Sequence, residues 1–206
     1  MRILIASGNA KKRRELVEML MPAGVTVLGP EDVGGLQEVI EDQPTFLGNA
    51  RKKAVAAARA HGCWALADDS GLEVDHLGGA PGVHSARFAG AHGDDAANNR
   101  RLLSELEGVG EADRTARFVC ALVLARADGS SAIELEGTAR GRILTEPRGD
   151  GDFGYDPLFL FTEEGFEQTG RGFAELSLAE KSEVSHRGRA LRQLLSRLNE
   201  ATATSR

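Results

Sequence analysis

The segment Thr115-Ala116-Arg117-Phe118-Val119-Cys120-Ala121-Leu122-Val123-Leu124-Ala125 restricts the possible folds more than any other part of the chain. Across residues 118–125 both alternating positions are apolar, so a strand built from them has no face to give to water. It belongs in the middle of a sheet with further layers on both sides. The neighbouring segments supply more strands. Residues 2–6 and 25–28 read as short strands, and 63–66 and 72–75 as two more on either side of Asp68-Asp69-Ser70-Gly71. Residues 131–137 alternate Ile133 and Leu135 with Glu134 and Glu136, which suits a half-exposed hairpin partner of the long strand, and 140–144 form a further strand.

Helices account for the covering layers. Residues 11–20 follow the polar turn Ser7-Gly8-Asn9-Ala10, and a second helix starts after Thr45, a good N-cap, with Phe46, Ala50, Ala54, Ala57 and Ala58 at helical spacing. Leu102, Leu103 and Leu106 mark a helix over 95–106 that Gly108 ends. Ser177-Leu178-Ala179-Glu180 is a capping box, and Ala190, Leu191, Leu194, Leu195 and Leu198 form the stripe of a C-terminal helix. Strands interleaved with helices predict an α/β protein with one core. Residues 1–200 read as a single domain and 201–206 as a frayed tail.

Composition narrows the function classes. A net charge of −6 argues against a general nucleic-acid binder, which needs a broad basic surface to displace counterions from phosphates. Cys63 and Cys120 sit inside apolar runs and read as small buried hydrophobes, in keeping with a reducing cytosol. Ile3-Leu4-Ile5-Ala6 is too short for a signal-peptide core, and no apolar run approaches membrane-spanning length. The expectation is a cytoplasmic protein with no membrane and no nucleic-acid partner.

Several stretches can carry chemistry. Asp68 and Asp69 sit where a strand is expected to end; ionised carboxylates there need a cationic partner or a metal ion, although Asp-Asp-Ser-Gly is equally good turn composition. Strand, Gly turn and helix at residues 2–20 leave free backbone N–H groups at a helix start, an anion site to which Ser7, Asn9 and Lys12 can add, yet without the G-x-x-x-x-G-K-[ST] pattern. Asn49 and Lys53, four residues apart, share a helical face, and Glu41-Asp42 is a second carboxylate pair. Phe153 and the single tyrosine, Tyr155, lie among glycines, where they either offer a flat face to a base beside Asp156 or anchor the loop in the core. Lys181, His186 and Arg187 lie near helix starts and can read an oxygen-rich ligand edge; His186 has no second His or Cys at metal-ligand spacing.

Taken together, these stretches resemble the Ham1/RdgB family of non-canonical purine nucleoside triphosphate pyrophosphatases. The resemblance runs through Ser7-Gly8-Asn9 with Lys12, Thr45-Phe46 with Asn49-Ala50 and Lys53-Ala54, Ala67-Asp68-Asp69-Ser70-Gly71-Leu72, and Leu77-Gly78-Gly79-Ala80-Pro81-Gly82-Val83 with Ser85-Ala86-Arg87. It continues in Gly151 with Phe153-Gly154-Tyr155-Asp156-Pro157, Ala174-Glu175-Leu176, Glu180-Lys181-Ser182 and Ser185-His186-Arg187. It implies the ITPase-like (Maf/Ham1) fold: a central mixed sheet with flanking helices, two lobes around a deep cleft, and commonly a homodimer. It implies Mg2+-dependent cleavage, with one or more ions per subunit, of ITP, dITP and XTP to the monophosphate and pyrophosphate. By the same resemblance Ser7, Gly8, Asn9, Ala10, Lys11, Lys12 and Lys53 hold the triphosphate, Asp69 is catalytic base and metal ligand, and Ser70 touches substrate. Phe153, Gly154, Tyr155, Asp156, Lys181, His186 and Arg187 form the base pocket.

One departure stands out. Where the family often has a Glu-Glu-Thr-Gly type sequence before Thr-Phe, this chain has Ile40-Glu41-Asp42-Gln43-Pro44, so Glu41 is the expected second metal ligand and Asp42 the alternative. A 6-oxo group on the base would meet donors from His186, Arg187 or Lys181, whereas the 6-amino group of adenine would set donor against donor. Guanine shares the 6-oxo group, so its rejection falls on the 2-position. Two other readings are a Maf-type pyrophosphatase for other modified bases and a non-catalytic nucleotide-binding module.

Overall fold

The computed structural model describes residues 1–151 and 153–203. Its elements run β1 (Arg2–Ile5), α1 (Ala10–Leu20), β2 (Thr26–Leu28), α2 (Phe46–His61), β3 (Trp64–Val74) and α3 (Asp95–Glu105). There follow β4 (Thr115–Ala125), β5 (Ser131–Ile143), β6 (Phe159–Phe161), α4 (Leu178–Val184) and α5 (His186–Ala203). The strands form one six-stranded sheet in the order β2-β1-β3-β4-β5-β6. β1 is parallel to β2 and to β3, while β5 and β6 are antiparallel, so the sheet is mixed, as expected. Of the expected tail, residues 201–203 belong to α5, which runs on to Ala203, and Thr204, Ser205 and Arg206 lie outside the described residues. Among the described residues no helix is long and apolar enough to cross a membrane.

The chain divides into two compact units. The first holds Met1–Asp69, Cys120–Gly137 and the stretch from Gly188 on; the second holds Ser70–Val119 and Thr138–Arg187. Each has a core of its own, where the sequence suggested one. In the first unit Leu16 and Leu20 of α1 and Leu191, Leu194 and Leu198 of α5 pack with Ile3, Ile5, Leu66, Cys120, Leu122 and Leu124. In the second, Leu102 and Leu106 pack with Leu72, Phe118, Tyr155, Phe159, Phe161 and Phe173. β4 is buried at every position from Phe118 on, as its two apolar faces require.

The first unit also explains how the site is positioned. β1 leads through α1 to β2 on one side, and β2 leads through α2 back past β1 to β3 on the other. Crossovers between parallel strands are right-handed, so two that run in opposite directions place their helices on opposite faces of the sheet. Leu66 of β3 accordingly packs with α1, and Arg51 of α2 forms a two-pronged ion pair, at 2.7 and 2.6 Å, with Glu134, which faces away from the Ile133 and Leu135 side of β5.

Two expectations are corrected. β3 is a single strand from Trp64 to Val74, so Asp68-Asp69-Ser70-Gly71 is neither a strand end nor a turn. Turn propensity reflects side chains bonding their own backbone; here the Asp oxygens are claimed by Lys12, Lys53 and Asn49 from other elements, and the extended backbone wins. β5 is likewise one strand, Ser131–Ile143, where two were expected, and its burial alternates along the whole length. Gly141 is there for a close approach: a Cβ on it would lie 2.2 Å from the Leu160 carbonyl oxygen and 2.6 Å from the Phe159 ring of β6.

Candidate active site

Consecutive residues of a strand point to opposite faces, so Asp68 and Asp69 are served from opposite sides. Asp68, fully buried, pairs with Lys12 of α1 at 3.2 Å. Asp69, only 7% exposed, pairs with Lys53 of α2 at 3.2 Å, and its other oxygen accepts from Nδ2 of Asn49 at 3.2 Å. Ile5 of β1 is level with Leu66, so both aspartates lie beyond the carboxyl end of β1, the place where parallel α/β sheets present ligand-binding groups. The turn from β1 into α1 is beside them in the chain's course. Asn9 caps α1 by accepting from the Lys12 N–H at 3.1 Å, Ser7 accepts from the Asn9 N–H at 3.3 Å, and Arg13 donates to the Ser7 carbonyl at 3.0 Å. Gly8, Asn9, Ala10 and Lys11 are exposed, which leaves the helix start open to an anion.

The irregular segment before α2 delivers a third carboxylate. Glu41 lies 3.2 Å from Lys53 and within hydrogen-bonding reach of Asp69. Asn49 holds the segment in place, because its Oδ1 accepts from the Gln43 N–H at 2.9 Å while its Nδ2 serves Asp69. Asp42 takes no part in this cluster; it is exposed beside Lys52, at 2.9 Å, and Gln43.

Among the described residues Glu41, Asp68 and Asp69 lie against Lys12 and Lys53, and burial together with these neighbours shifts Asp69, Glu41 and Lys53. Burial, with Glu41 alongside, pushes the Asp69 carboxyl up to about 6 in spite of Lys53 and Lys12. Burial is the largest influence on Glu41 and would raise it, but Lys53, a hydrogen bond with Asp69 and Lys12 together outweigh it and hold that carboxyl below its ordinary value. Lys53 is held above its ordinary value, since Asp69, Asp68 and Glu41 together overcome its own burial. The lysine and Asp69 shift in directions that look contradictory for one ion pair; they agree once Lys53 is seen to answer three carboxylates. The cluster is short of positive charge.

That shortage is the test of whether a metal ion fits. Glu41 and Asp69 present only oxygen donors, which suits a hard divalent cation. Among the described residues no group of three or more His, Cys, Asp and Glu side chains forms a metal cage. Two carboxylates are what Mg2+ ordinarily takes from a protein, the rest of its shell coming from water and phosphate.

The second unit gathers the remaining predicted residues. Phe153 is half-buried, with Lys181 Nζ 5.1 Å and Arg187 Cζ 5.9 Å from its ring centroid. Lys181 and Asp156 form a buried ion pair, and Arg187 donates to Ser70 Oγ at 2.9 Å. Two cations over an aromatic face make a surface for a planar, electron-rich ring with oxygen at its rim. Tyr155 offers no such face: it is 4% exposed, belongs to the core, and donates its hydroxyl to the Ser85 carbonyl at 2.9 Å, so of the two uses open to it in the sequence it serves as the anchor. His186 is buried with its ring stacked on Phe118 at 4.8 Å.

Asn49 and Asp68 are the participants that sequence reasoning undervalued. The spacing of Asn49 with Lys53 was a signal for the first; nothing local distinguishes Asp68 from its neighbour, because the partner that assigns it comes from another helix.

The Ham1 family profile matches residues 3–197. A dITP/XTP pyrophosphatase of Desulforamulus reducens is 51% identical over 199 residues, covering 97% of this chain and 96% of that protein. One of Corynebacterium glutamicum is 47% identical over 208 residues, covering all of both. Among solved structures, a HAM1 protein from Coxiella burnetii superposes with a TM-score of 0.85 at 37% identity, over 97% of this chain and 99% of that one. A nucleoside-triphosphatase, dITP/XTP pyrophosphatase, from Mycobacterium abscessus gives 0.75 at 44% identity, over 95% and 99%. A match over nearly the whole chain, at this identity and with a mixed sheet carrying its acidic pair on β3, means that the chain belongs to the Ham1 family.

Proposed function

We propose that this protein hydrolyses the non-canonical purine nucleoside triphosphates ITP, dITP and XTP to the monophosphate and pyrophosphate, with Mg2+, and so clears them from the nucleotide pool. The observation that carries the reading is the convergence of Glu41 and Asp69 with lysines from two different helices. The relatives' activity, dITP/XTP pyrophosphatase, supports it.

In this reading the triphosphate tail goes to the residues around Lys12 and Lys53, as the family resemblance implies. Lys12, Lys53 and the N–H groups at the start of α1 bind phosphate oxygens and stabilise the charge that builds up on the leaving pyrophosphate. Glu41 and Asp69 would hold Mg2+, which would supply charge neutralisation of the phosphates and orientation of the reacting groups. A water attacks the α-phosphorus in line, its proton passes to an Oδ of Asp69, and the bond from the α-phosphorus to the bridging oxygen breaks. Burial raises that carboxyl to about 6 in the metal-free cluster and a bound cation would lower it again, so near neutral pH Asp69 is ionised and able to take the proton. Asp68 stays paired with Lys12 and sets that lysine's position. The base goes to the residues around Phe153, as the same resemblance implies. Phe153 supplies its ring, and Lys181 and Arg187 donate to the 6-oxo oxygen, with Ser70 orienting Arg187. The reading extends to a cytoplasmic homodimer, as the family resemblance implies.

The test is pyrophosphate release from ITP, XTP, GTP, ATP and TTP with Mg2+ and with EDTA. Turnover of ITP and XTP far above the others, lost in EDTA, is expected. Activity on other bases instead points to a Maf-type preference, and no turnover of any nucleotide removes the reading.

A further inference from the structure

The loop that carries Phe153 is gripped by α3, an element with no part in the site so far. Gly154 has φ +56°, in the left-handed region that favours glycine, and its N–H and carbonyl, like other backbone polar groups removed from water, need partners. Both partners come from α3. The Gly154 N–H donates to Oδ2 of Asp95 at 2.9 Å, and its carbonyl accepts from Nδ2 of Asn99 at 2.9 Å. Four residues apart, Asp95 and Asn99 stand one turn above the other on a single helix face. The orientation of the Asn99 amide follows from its surroundings, since reversing it would set oxygen against oxygen.

α3 is itself well fixed. Asp94 caps it by accepting from the Ala97 N–H at 2.9 Å, Leu102 is in the core, and Asn98 accepts from the Ala89 N–H at 2.7 Å. The clamp therefore transfers the position of a rigid helix to a loop. On one side of Gly154 is Phe153, under Lys181 and Arg187; on the other Tyr155 is pinned to Ser85, and Asp156 is paired with Lys181.

We propose that Asp95 and Asn99 are positioning residues for base selection: by holding both peptide groups of Gly154 they set the Phe153 ring against the two cations and so decide which purine edge is accepted. The inference rests on the reading of Phe153, Lys181 and Arg187 as the base site. Neither clamp residue touches the nucleotide; each acts through Gly154. A displacement of about 1 Å at a reading group is enough to cost roughly a hundredfold in a reaction that depends on alignment.

The experiment measures kcat and KM for ITP, XTP, GTP and ATP, and the inhibition constant of inorganic pyrophosphate, for the wild type and for Asn99→Ala, Asp95→Ala and Asp95→Asn. In each alanine variant the ratio of kcat/KM for ITP to that for ATP is expected to fall about tenfold or more, chiefly through KM for ITP, while pyrophosphate inhibits as before. Asp95→Asn keeps an oxygen that accepts from Gly154 and restores the ratio. Alanine variants that discriminate like the wild type overturn the inference. So does a loss spread evenly over every nucleotide and over pyrophosphate, the signature of general destabilisation. The two alanine variants remove opposite ends of the clamp, so either one that folds decides the matter. A wild type that releases no pyrophosphate from any nucleotide removes the base-site reading and this inference together; an active, selective wild type with unaffected variants removes only the inference.

Discussion

Replacing Asp69 with Asn is expected to abolish turnover and, in metal-free protein, to make the fold more stable. The Asp69 carboxyl lies at about 6 instead of the ordinary 3.8, because it is buried and has Glu41 beside it. A difference of about two pKa units corresponds to roughly 3 kcal/mol between its two protonation states. The sign follows from proton binding. The folded protein holds this proton more tightly than the unfolded chain does, so stability falls as pH rises from about 4 to about 6, and the full cost is present above that range. Asn carries no charge to desolvate and can still accept from Asn49, and Lys53 retains Glu41. The expected gain at pH 8 is about 1–3 kcal/mol, or several degrees in melting temperature for a chain of this length. It should shrink below pH 6 and vanish near pH 4. Urea denaturation in EDTA at pH 8, 7, 6 and 5 measures it, with pyrophosphate release as the activity readout. Added Mg2+ should stabilise the wild type and not the variant, narrowing the gap. An Asn variant less stable than the wild type at pH 8, or a difference that does not change on acidification, would falsify the charge-excess account of the cluster.

Glu41→Gln should cost at least a hundredfold in activity and weaken the dependence on Mg2+, whereas Asp42→Asn should remain within about twofold of the wild type; equal losses in titrations of rate against Mg2+ would put Asp42 back in contention. Arg187→Ala should reduce the preference for 6-oxo purines more than it weakens inhibition by pyrophosphate, and a uniform loss over the nucleotide panel contradicts that. Tyr155→Phe removes the bond to the Ser85 carbonyl and should cost roughly 1 kcal/mol of stability while the base preference is kept; a changed ITP to ATP ratio in the steady state would mean that the tyrosine takes part in selection.

Much of the architecture can be read locally. The burial of β4 on both faces follows from its apolar residues, Thr45 and Ser177 cap their helices as their positions suggest, and the stripe from Ala190 to Leu198 faces the core. The errors fall where local and long-range partners compete. Asp-Asp-Ser-Gly favours a turn in isolation, and β3 passes straight through it because lysines distant in the chain take the carboxylates. The strands expected at 131–137 and 140–144 are one, β5, and Gly141 makes room in it for β6.

By itself the sequence determined the α/β class, the strand that must be central, the helix starts and the family, since each depends on residue spacing along the chain. Only the tertiary structure decided that Asp68 belongs to Lys12 and Asp69 to Lys53, that Glu41 faces the cluster while Asp42 faces Lys52, that Tyr155 anchors the core, and that α3 holds Gly154. The physical reason is common to all four. A charged or polar group adopts whichever partner best offsets its loss of water, and that partner is known only when distant segments have been brought together.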